Sequence, residues 1–172
     1  MINDPNTSIV LLDKKQQDRE SFSCGVSVLD NYLKRQASQD AKKNVASTFV
    51  MVDREGTIAG YYTLSATGIN AEDLPQEIVK KLPRYPLLPA ALLGRLAVDN
   101  NHQGKGIGKI LLMDGLRRSF EIKTEMASMA VIVDAKDDSA KKFYEKYGFM
   151  SFPKQPYKLL LPMSSISVLL KG

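Results

Sequence analysis

The stretch Gln103-Gly104-Lys105-Gly106-Ile107-Gly108-Lys109 follows directly on the apolar run Ala91-Leu92-Leu93-Gly94-Arg95-Leu96-Ala97-Val98. No other part of the chain restricts the fold as much. It reads as a strand that enters a glycine-rich turn and then a helix. Glycines admit backbone angles that other residues avoid and let the main chain come close to a ligand. The N–H groups at a helix start have no intrahelical partner and converge where an anion is favoured. Lys105 and Lys109 oppose the macrodipole in that first turn, so a bound negative group explains them better than the helix does. The plainer reading is a helix start with glycines for tight turning. Against it, the alternating glycines weaken the helix without return unless something sits there.

Two familiar phosphate loops are excluded. Gly108-Lys109 is followed by Ile110, so the metal-binding hydroxyl of a Walker loop is missing. Counting a dinucleotide fingerprint from Gly104 puts Lys109 where its last glycine belongs.

At 172 residues the chain is expected to be one domain, 1–172, with 44% apolar and 25% charged residues, as in a soluble globular protein. No stretch approaches the roughly 20 apolar residues of a membrane span, and no membrane partner is expected. The start Met1-Ile2-Asn3-Asp4-Pro5-Asn6 has no basic region followed by an apolar core, so no secretory signal is read there. A single cysteine, Cys24, excludes an internal disulfide, and with a single histidine, His102, no metal site is expected. A reducing, cytoplasmic setting follows as the default. The net charge of +5 suits an anionic partner such as a phosphorylated cofactor or a nucleic acid.

Periodicity supplies the rest of the outline. Residues 8–12 read as a short strand. Ser27 to Lys43 reads as a helix with Val28, Leu29, Tyr32, Leu33, Ala37 and Ala41 inward, capped by Ser23 or Ser27. Residues 47–52 and 57–66 form a hairpin pair around Asp53-Arg54-Glu55-Gly56. Residues 71–82 read as a helix, and Pro83, Pro86 and Pro89 as a stiff connection into the long apolar strand. A helix over 106–120 comes next, then a doubly buried strand over 128–133. A further helix is capped by Asp137 or Asp138 and stopped by Gly148. Strands over 149–152 and 157–161 close the chain. Such an order argues for one mixed α/β sheet.

Gln103-Gly104-Lys105-Gly106-Ile107-Gly108 matches the Gln/Arg-x-x-Gly-x-Gly/Ala motif of the GNAT acyl-CoA N-acetyltransferases. Leu96-Ala97-Val98 before it and Phe143-Tyr144-Glu145-Lys146-Tyr147-Gly148-Phe149 after it resemble that family in order and spacing. Upstream, Phe22-Ser23-Cys24-Gly25, Leu29-Asp30-Asn31-Tyr32-Leu33 and Gln36-Ala37-Ser38-Gln39-Asp40 resemble the opening of the GNAT toxins of bacterial toxin–antitoxin pairs. Arg84-Tyr85-Pro86 and Leu93-Gly94-Arg95-Leu96-Ala97-Val98-Asp99 are similar to that subfamily too.

The resemblance implies an α/β (mixed α+β) fold, with a central mixed, mostly antiparallel sheet of six to seven strands flanked by helices. It implies acetyl-CoA as the cosubstrate, with its diphosphate on Gly104, Lys105, Gly106, Gly108 and Lys109 and with Gln103 and Ile107 in the same binding stretch. Leu96 and Val98, with Ala97 between them, are implied to offer main-chain groups to the pantetheine arm and thioester. Tyr144 is implied as general acid. The subfamily resemblance implies aminoacyl-tRNA as acceptor, a ribbon-helix-helix antitoxin as partner, and a homodimer. One departure from the family stands at Asp134-Ala135-Lys136-Asp137-Asp138, where many members carry an asparagine that touches CoA.

The residues themselves bear on this chemistry. A phenol of pKa about 10 is protonated at neutral pH and close in basicity to a thiolate, of thiol pKa about 8.5. Read by periodicity alone, Tyr144 is a core aromatic beside Phe143 and Tyr147; with the glycine turn upstream, it is read as the acid. No general base stands out. That favours an α-amine, pKa about 7.7–8.0, over a lysine of about 10.4, because far more of the α-amine is neutral near pH 7. Lys34, Arg35, Lys42 and Lys43 are either a solvated helix face or contacts to RNA phosphates. Lys80, Lys81 and Arg84 carry the same two readings. Arg95, inside an apolar strand, is either paired structurally or reaches RNA or a partner. Cys24 reads as a turn thiol packed beside Phe22. An acetyltransferase for a small amine or a protein N-terminus stays open as the alternative function. A non-catalytic CoA-binding module stays open as well.

Overall fold

The structure, a computed structural model, describes residues 5–172; Met1 to Asp4, part of the stretch read above for a leader, lie outside the described residues. The strands are β1 (Ser8–Leu11), β2 (Ser47–Val52), β3 (Ile58–Asn70), β4 (Leu87–Val98), β5 (Ala130–Asp134), β6 (Met150–Phe152) and β7 (Gln155–Pro162). They form a seven-stranded sheet in the order β1-β2-β3-β4-β5-β7-β6. The pairs β1–β2, β2–β3, β5–β7 and β6–β7 are antiparallel, and β4–β5 is parallel, in register from Ala91↔Val131 to Leu93↔Val133. β4 itself continues past that pairing to Val98. The mixed, mostly antiparallel sheet expected from the sequence is therefore present.

The helices are α1 (Ser27–Asn31), α2 (Ala37–Lys42), α3 (Gln76–Val79), α4 (Ile107–Ile122), α5 (Asp138–Lys146) and α6 (Met163–Lys171). A π-helical turn, Tyr32–Gln36, joins α1 to α2, and in it the Ala37 amide donates to the Tyr32 carbonyl five residues back. The sequence periodicity does not register this extra residue.

Three expectations are corrected. Neither Ser23 nor Ser27 caps α1: the capping position is Val26, with no side-chain bond. The helix expected over 71–82 is a 3-10 turn, Ala71–Asp73, followed by the single turn α3. Pro75 separates them, because its ring carries no N–H to continue a helical ladder. Pro89 belongs to β4 rather than to a connection, and its carbonyl accepts from the Met129 amide at 2.9 Å. Beyond the last expected strand, the chain continues as helix α6, which buries Met163 and Ile166. Other expectations hold. Asp137 caps α5 by accepting from the Ala140 amide at 2.8 Å, and Gly148 ends the segment at φ +94°. Residues 130–133 are all buried, as a strand covered on both faces requires.

The chain divides into two compact units. One holds the chain to Ser65 with Arg95–Gly115; the other holds Ala66–Gly94 with Leu116–Gly172. In the first, Phe22, Tyr32, Leu33, Val50, Ile58, Tyr61 and Ala97 share one buried cluster with Cys24. In the second, Ile69, Leu74, Leu88, Ala130, Ile132, Phe152 and Leu160 do the same. Each large side chain removed from water in these clusters contributes about 1.5–3 kcal/mol before entropy is counted.

Candidate active site

In the first unit, β4 ends at Val98 and a short 3-10 turn, Asn100–His102, leads to Gln103 and the glycine turn. Gly104 and Gly106 both have φ +78°, where L side chains are strained. A Cβ built on either one meets nothing within 4 Å. These glycines are therefore set by backbone conformation and not by crowding, and the space above them is open. Lys105 and Lys109 are exposed, while Ile107 is buried and anchors the start of α4. The first internal bond of the helix runs from the Ile110 amide to the Gly106 carbonyl. The earlier amides have no intrahelical acceptor and remain at the helix start. Positive-φ residues alternating along such a turn form a main-chain concavity suited to an anion.

The turn is held from below by a polar anchor that the sequence reading missed. Asp99 is 6% exposed. Its carboxylate accepts from the Ser23 amide (3.0 Å), the Asn101 amide (3.0 Å) and His102 Nδ1 (3.2 Å). Burial pushes this carboxyl up, but the two amides and His102 outweigh it, so its pKa lies below the ordinary value. The Asn100 amide donates to the Ser23 carbonyl at 2.7 Å. Gln103 Nε2 lies 3.1 Å from the Val98 carbonyl, 3.3 Å from that of Cys24 and 3.3 Å from Asn100 Oδ1. The Gln103 side chain and the Val98 carbonyl, both expected at the cofactor, are thus engaged with each other. His102 braces the anchor. An aspartate closing an apolar strand, just where a short helical turn begins, was the available signal.

β3 contributes a second missed residue, Gly60. A Cβ there would lie 2.7 Å from Leu111 Cδ1, 2.8 Å from the Ala97 carbonyl and 3.4 Å from Ile107 Cγ2. Helix α4 rests directly on the strand at this point. Its face also carries the buried Asp114, which accepts from the Tyr62 hydroxyl at 2.6 Å. A lone glycine inside a strand pattern marks a close approach of this kind.

Arg95 lies on the same strand. Its guanidinium stands 3.5 Å above the Tyr32 ring, so stacking is its place in the fold. Tyr32 in turn donates to Asp40 Oδ2 at 2.8 Å, and Gln36 Nε2 donates to Asp40 Oδ1 at 2.8 Å. These two bonds, Gln36 first, with the charges of Arg95 and Lys43, hold the Asp40 carboxyl below its usual pKa. Of the other basic residues singled out, Lys34 is half-buried, and Arg35 is exposed with Glu20 at 3.0 Å. Lys42 and Lys43 are exposed at the end of α2, and Arg84 is exposed in the second unit. Exposed pairs such as Arg35–Glu20 contribute little to stability.

In the second unit, Tyr144 sits on α5, buried at 6% exposure. Its ring packs on Phe143 (5.2 Å between centroids) and Phe149 (5.5 Å). Burial first, and the Asp134 charge second, push its hydroxyl well above the ordinary tyrosine pKa. Asp134, where the family's asparagine is missing, therefore acts on this tyrosine electrostatically. Among the described residues no group of three or more possible metal ligands exists. Cys24 is buried and forms no disulfide, as a chain with a single cysteine requires.

Comparison with known proteins agrees with this geometry. Residues 45–151 match the acetyltransferase (GNAT) domain model. The chain is 33% identical over 153 residues to a tRNA-acetylating toxin of Mycobacterium tuberculosis, covering 89% of this chain and 90% of that one. It is 29% identical over 167 residues to a probable toxin TacT of Sinorhizobium fredii, covering 92% of each. Among solved structures, AtaT complexed with acetyl-methionyl-tRNAfMet is 26% identical with a TM-score of 0.88, over 95% of this chain and 98% of that one. AtaTR bound with AcCoA is 25% identical at 0.83, over 96% and 98%. A KacTA–DNA complex is 26% identical at 0.79, over 96% and 98%. With a domain match spanning more than half its length, this chain belongs to the GNAT acetyltransferase family.

Proposed function

We propose that this chain moves the acetyl group of acetyl-CoA to the α-amine of aminoacyl-tRNA, and so acts as a toxin that blocks translation. The observation that carries the reading is the open glycine turn at Gly104–Gly106, in a chain 33% identical to a tRNA-acetylating toxin. Residues 1–172 act as one catalytic domain in this reading.

The turn fits a diphosphate. Room above Gly104 and Gly106, main-chain amides at the start of α4, and Lys105 and Lys109 beside them are the parts that an anion of this size needs. Gly108 lies beside them in the first turn of α4, and Leu96, Ala97 and Val98 supply β4 main chain along the arm of the cofactor. Acetyl-CoA brings an activated acyl thioester. The acceptor amine loses one proton and the departing sulfur gains one. Tyr144, kept protonated by burial, donates to that sulfur as charge gathers on it and recovers its proton from solvent. Burial makes the phenol a weaker acid, and the same dry surroundings make the departing thiolate a stronger base, so the two groups shift in the same direction. An α-amine of pKa about 7.7–8.0 is neutral often enough near pH 7 to need no dedicated base. Lys34, Arg35, Lys42, Lys43, Arg84 and Arg95 form the RNA contacts.

The partners follow from the same reading. AtaT is known in complex with acetyl-methionyl-tRNAfMet and KacTA in complex with DNA, which supports a tRNA acceptor and an assembly that reaches DNA; the partner in this reading is a ribbon-helix-helix antitoxin. A homodimer and a cytoplasmic site of action complete the proposal. Among the described residues no helix is long and apolar enough to cross a membrane.

Labelled acetyl-CoA, offered first with total charged tRNA and then with free amines, tests the acceptor. Label is expected on charged tRNA, with a rate that rises up to about pH 8 and no falling limb from Tyr144 below pH about 10. Label on free amines without RNA, and none on charged tRNA, would overturn the proposal.

A further inference from the structure

We infer that the Arg95 guanidinium, stacked on Tyr32, is a fork for one phosphate at the 3′ end of the acceptor RNA. The inference rests on aminoacyl-tRNA being the acceptor and assigns a single phosphodiester to a single side chain.

Arg95 is half-buried in a strand whose neighbours are apolar. A guanidinium in such a place is costly unless something compensates for lost water. The usual compensation is a carboxylate that occupies the fork. Here it is the face of Tyr32 at 3.5 Å, which fixes the plane of the group and uses none of its N–H donors. Among the described residues Arg95 has no ion pair and no hydrogen-bond acceptor. Asp40, across the helix, already receives Tyr32 on one oxygen and Gln36 on the other. The fork is oriented and unfilled.

The platform beneath it is built. Tyr32 is tied by its hydroxyl to Asp40 and by its ring to Tyr61, stacked at 6.4 Å and 16°. Tyr61 is fully buried, and its hydroxyl donates to the Leu29 carbonyl at 2.7 Å. Tyr32 opens the π-helical turn, a feature that recurs at functional sites. Lys43 is a second cation acting on Asp40, so two positive charges stand against one carboxylate whose oxygens are already engaged.

A phosphodiester fits this fork better than any other group on the acceptor. Its two free oxygens match the paired donors of a guanidinium. Arg95 is one residue along β4 from Leu96, whose main chain is assigned above, with that of Ala97 and Val98, to the arm of the cofactor. The phosphate that joins the terminal nucleotide is the acceptor's anion nearest the reacting amine. A carboxylate on a protein partner is the rival occupant.

The test compares two charged RNAs, identical except that one carries a neutral methylphosphonate at that last linkage, on wild type and on Arg95→Lys. For wild type the neutral linkage is expected to raise KM about tenfold with kcat within about twofold. Arg95→Lys, which keeps the charge and loses the planar fork, is expected to raise KM for native RNA about tenfold and to be nearly insensitive to the neutral linkage. Equal KM for both RNAs on wild type overturns the inference, whatever the variant does, and would leave a partner carboxylate as the occupant. An equal cost of the neutral linkage on both proteins overturns it as well, as does a loss confined to kcat in Arg95→Lys. If the variant does not fold, the two RNAs on wild type decide alone. If wild type acetylates neither RNA, the acceptor reading fails and the fork falls with it.

Discussion

Gly60 and the pair Gly104–Gly106 use the same missing side chain for opposite ends. At Gly60 a Cβ would run into Leu111 and into the Ala97 carbonyl, closer than 3 Å. At Gly104 and Gly106 it would meet nothing, but the φ of +78° would be strained. The first glycine lets a helix lie on a strand. The second two let main-chain amides face open space. A methyl group added in either place should therefore be felt in different measurements: in melting at position 60, in cofactor binding at position 106.

Tyr144 sharpens the comparison most, because it packs by its ring and is assigned its chemistry by its oxygen. Tyr144→Phe keeps the contacts with Phe143 and Phe149. It should lower kcat by roughly 10²–10⁴-fold, with acetyl-CoA binding and melting temperature nearly unchanged. Steady-state kinetics beside a thermal melt would check this, and full turnover would remove the residue from the mechanism.

Gly60→Ala comes next. A carbonyl oxygen cannot move aside as a side chain can, so overpacking should cost about 2–3 kcal/mol. In a chain of this size that lowers the melting temperature by about 2–4 °C per kcal/mol, readable by calorimetry. The KM for acetyl-CoA should stay near wild type. A rise in that KM without a change in melting would break the distinction drawn here.

Asp99→Asn probes the anchor beneath the turn. Replacing a buried carboxylate that accepts from two amides and His102 should cost about 2 kcal/mol at neutral pH. The sign with pH follows from the lowered pKa. The folded value lies below the unfolded one of about 3.9, so the stabilisation is present above about pH 4 and fades as pH falls through the folded value. Denaturant titrations of the two proteins should differ at pH 7 and converge in acid. A gap that persists unchanged at low pH would show that the Asp99 charge is not what holds the anchor.

Gly106→Ala should have the smallest effect on the fold, about 1 kcal/mol from its positive φ. Its larger consequence should be a KM for acetyl-CoA raised about tenfold, since a strained turn no longer presents its amides as a set. Binding calorimetry with acetyl-CoA reads this directly. An unchanged affinity would leave the turn without its assigned ligand.

The contrast also explains what the sequence disclosed. The glycine turn was legible because its signal is local: alternating glycines, two lysines and an apolar run fall within one stretch of chain. The cap at Asp137 and the stop at Gly148 were legible for the same reason. Gly60 was not, because its cause is a helix about fifty residues further along the chain, and a strand glycine alone does not say what approaches it. Likewise nothing near Arg95 in the chain names Tyr32 as its platform. The π turn adds one residue inside a helix whose apolar spacing still looks regular. The helix expected over 71–82 breaks at Pro75, whose missing N–H outweighs the helical signal of acids at Glu72 and Asp73 and bases at Lys80 and Lys81. The C-terminal helix went unread although Met163, Ile166 and Leu170 recur at helical spacing.

The most direct test of the account is mass spectrometry of the 3′-terminal aminoacyl-adenosine released from charged tRNA after exposure to the protein and acetyl-CoA. The account predicts a gain of one acetyl group, located on the α-amine of the amino acid and absent with Tyr144→Phe. Charged tRNA that emerges unmodified, or an acetyl group found on the nucleotide instead of the amine, would contradict it.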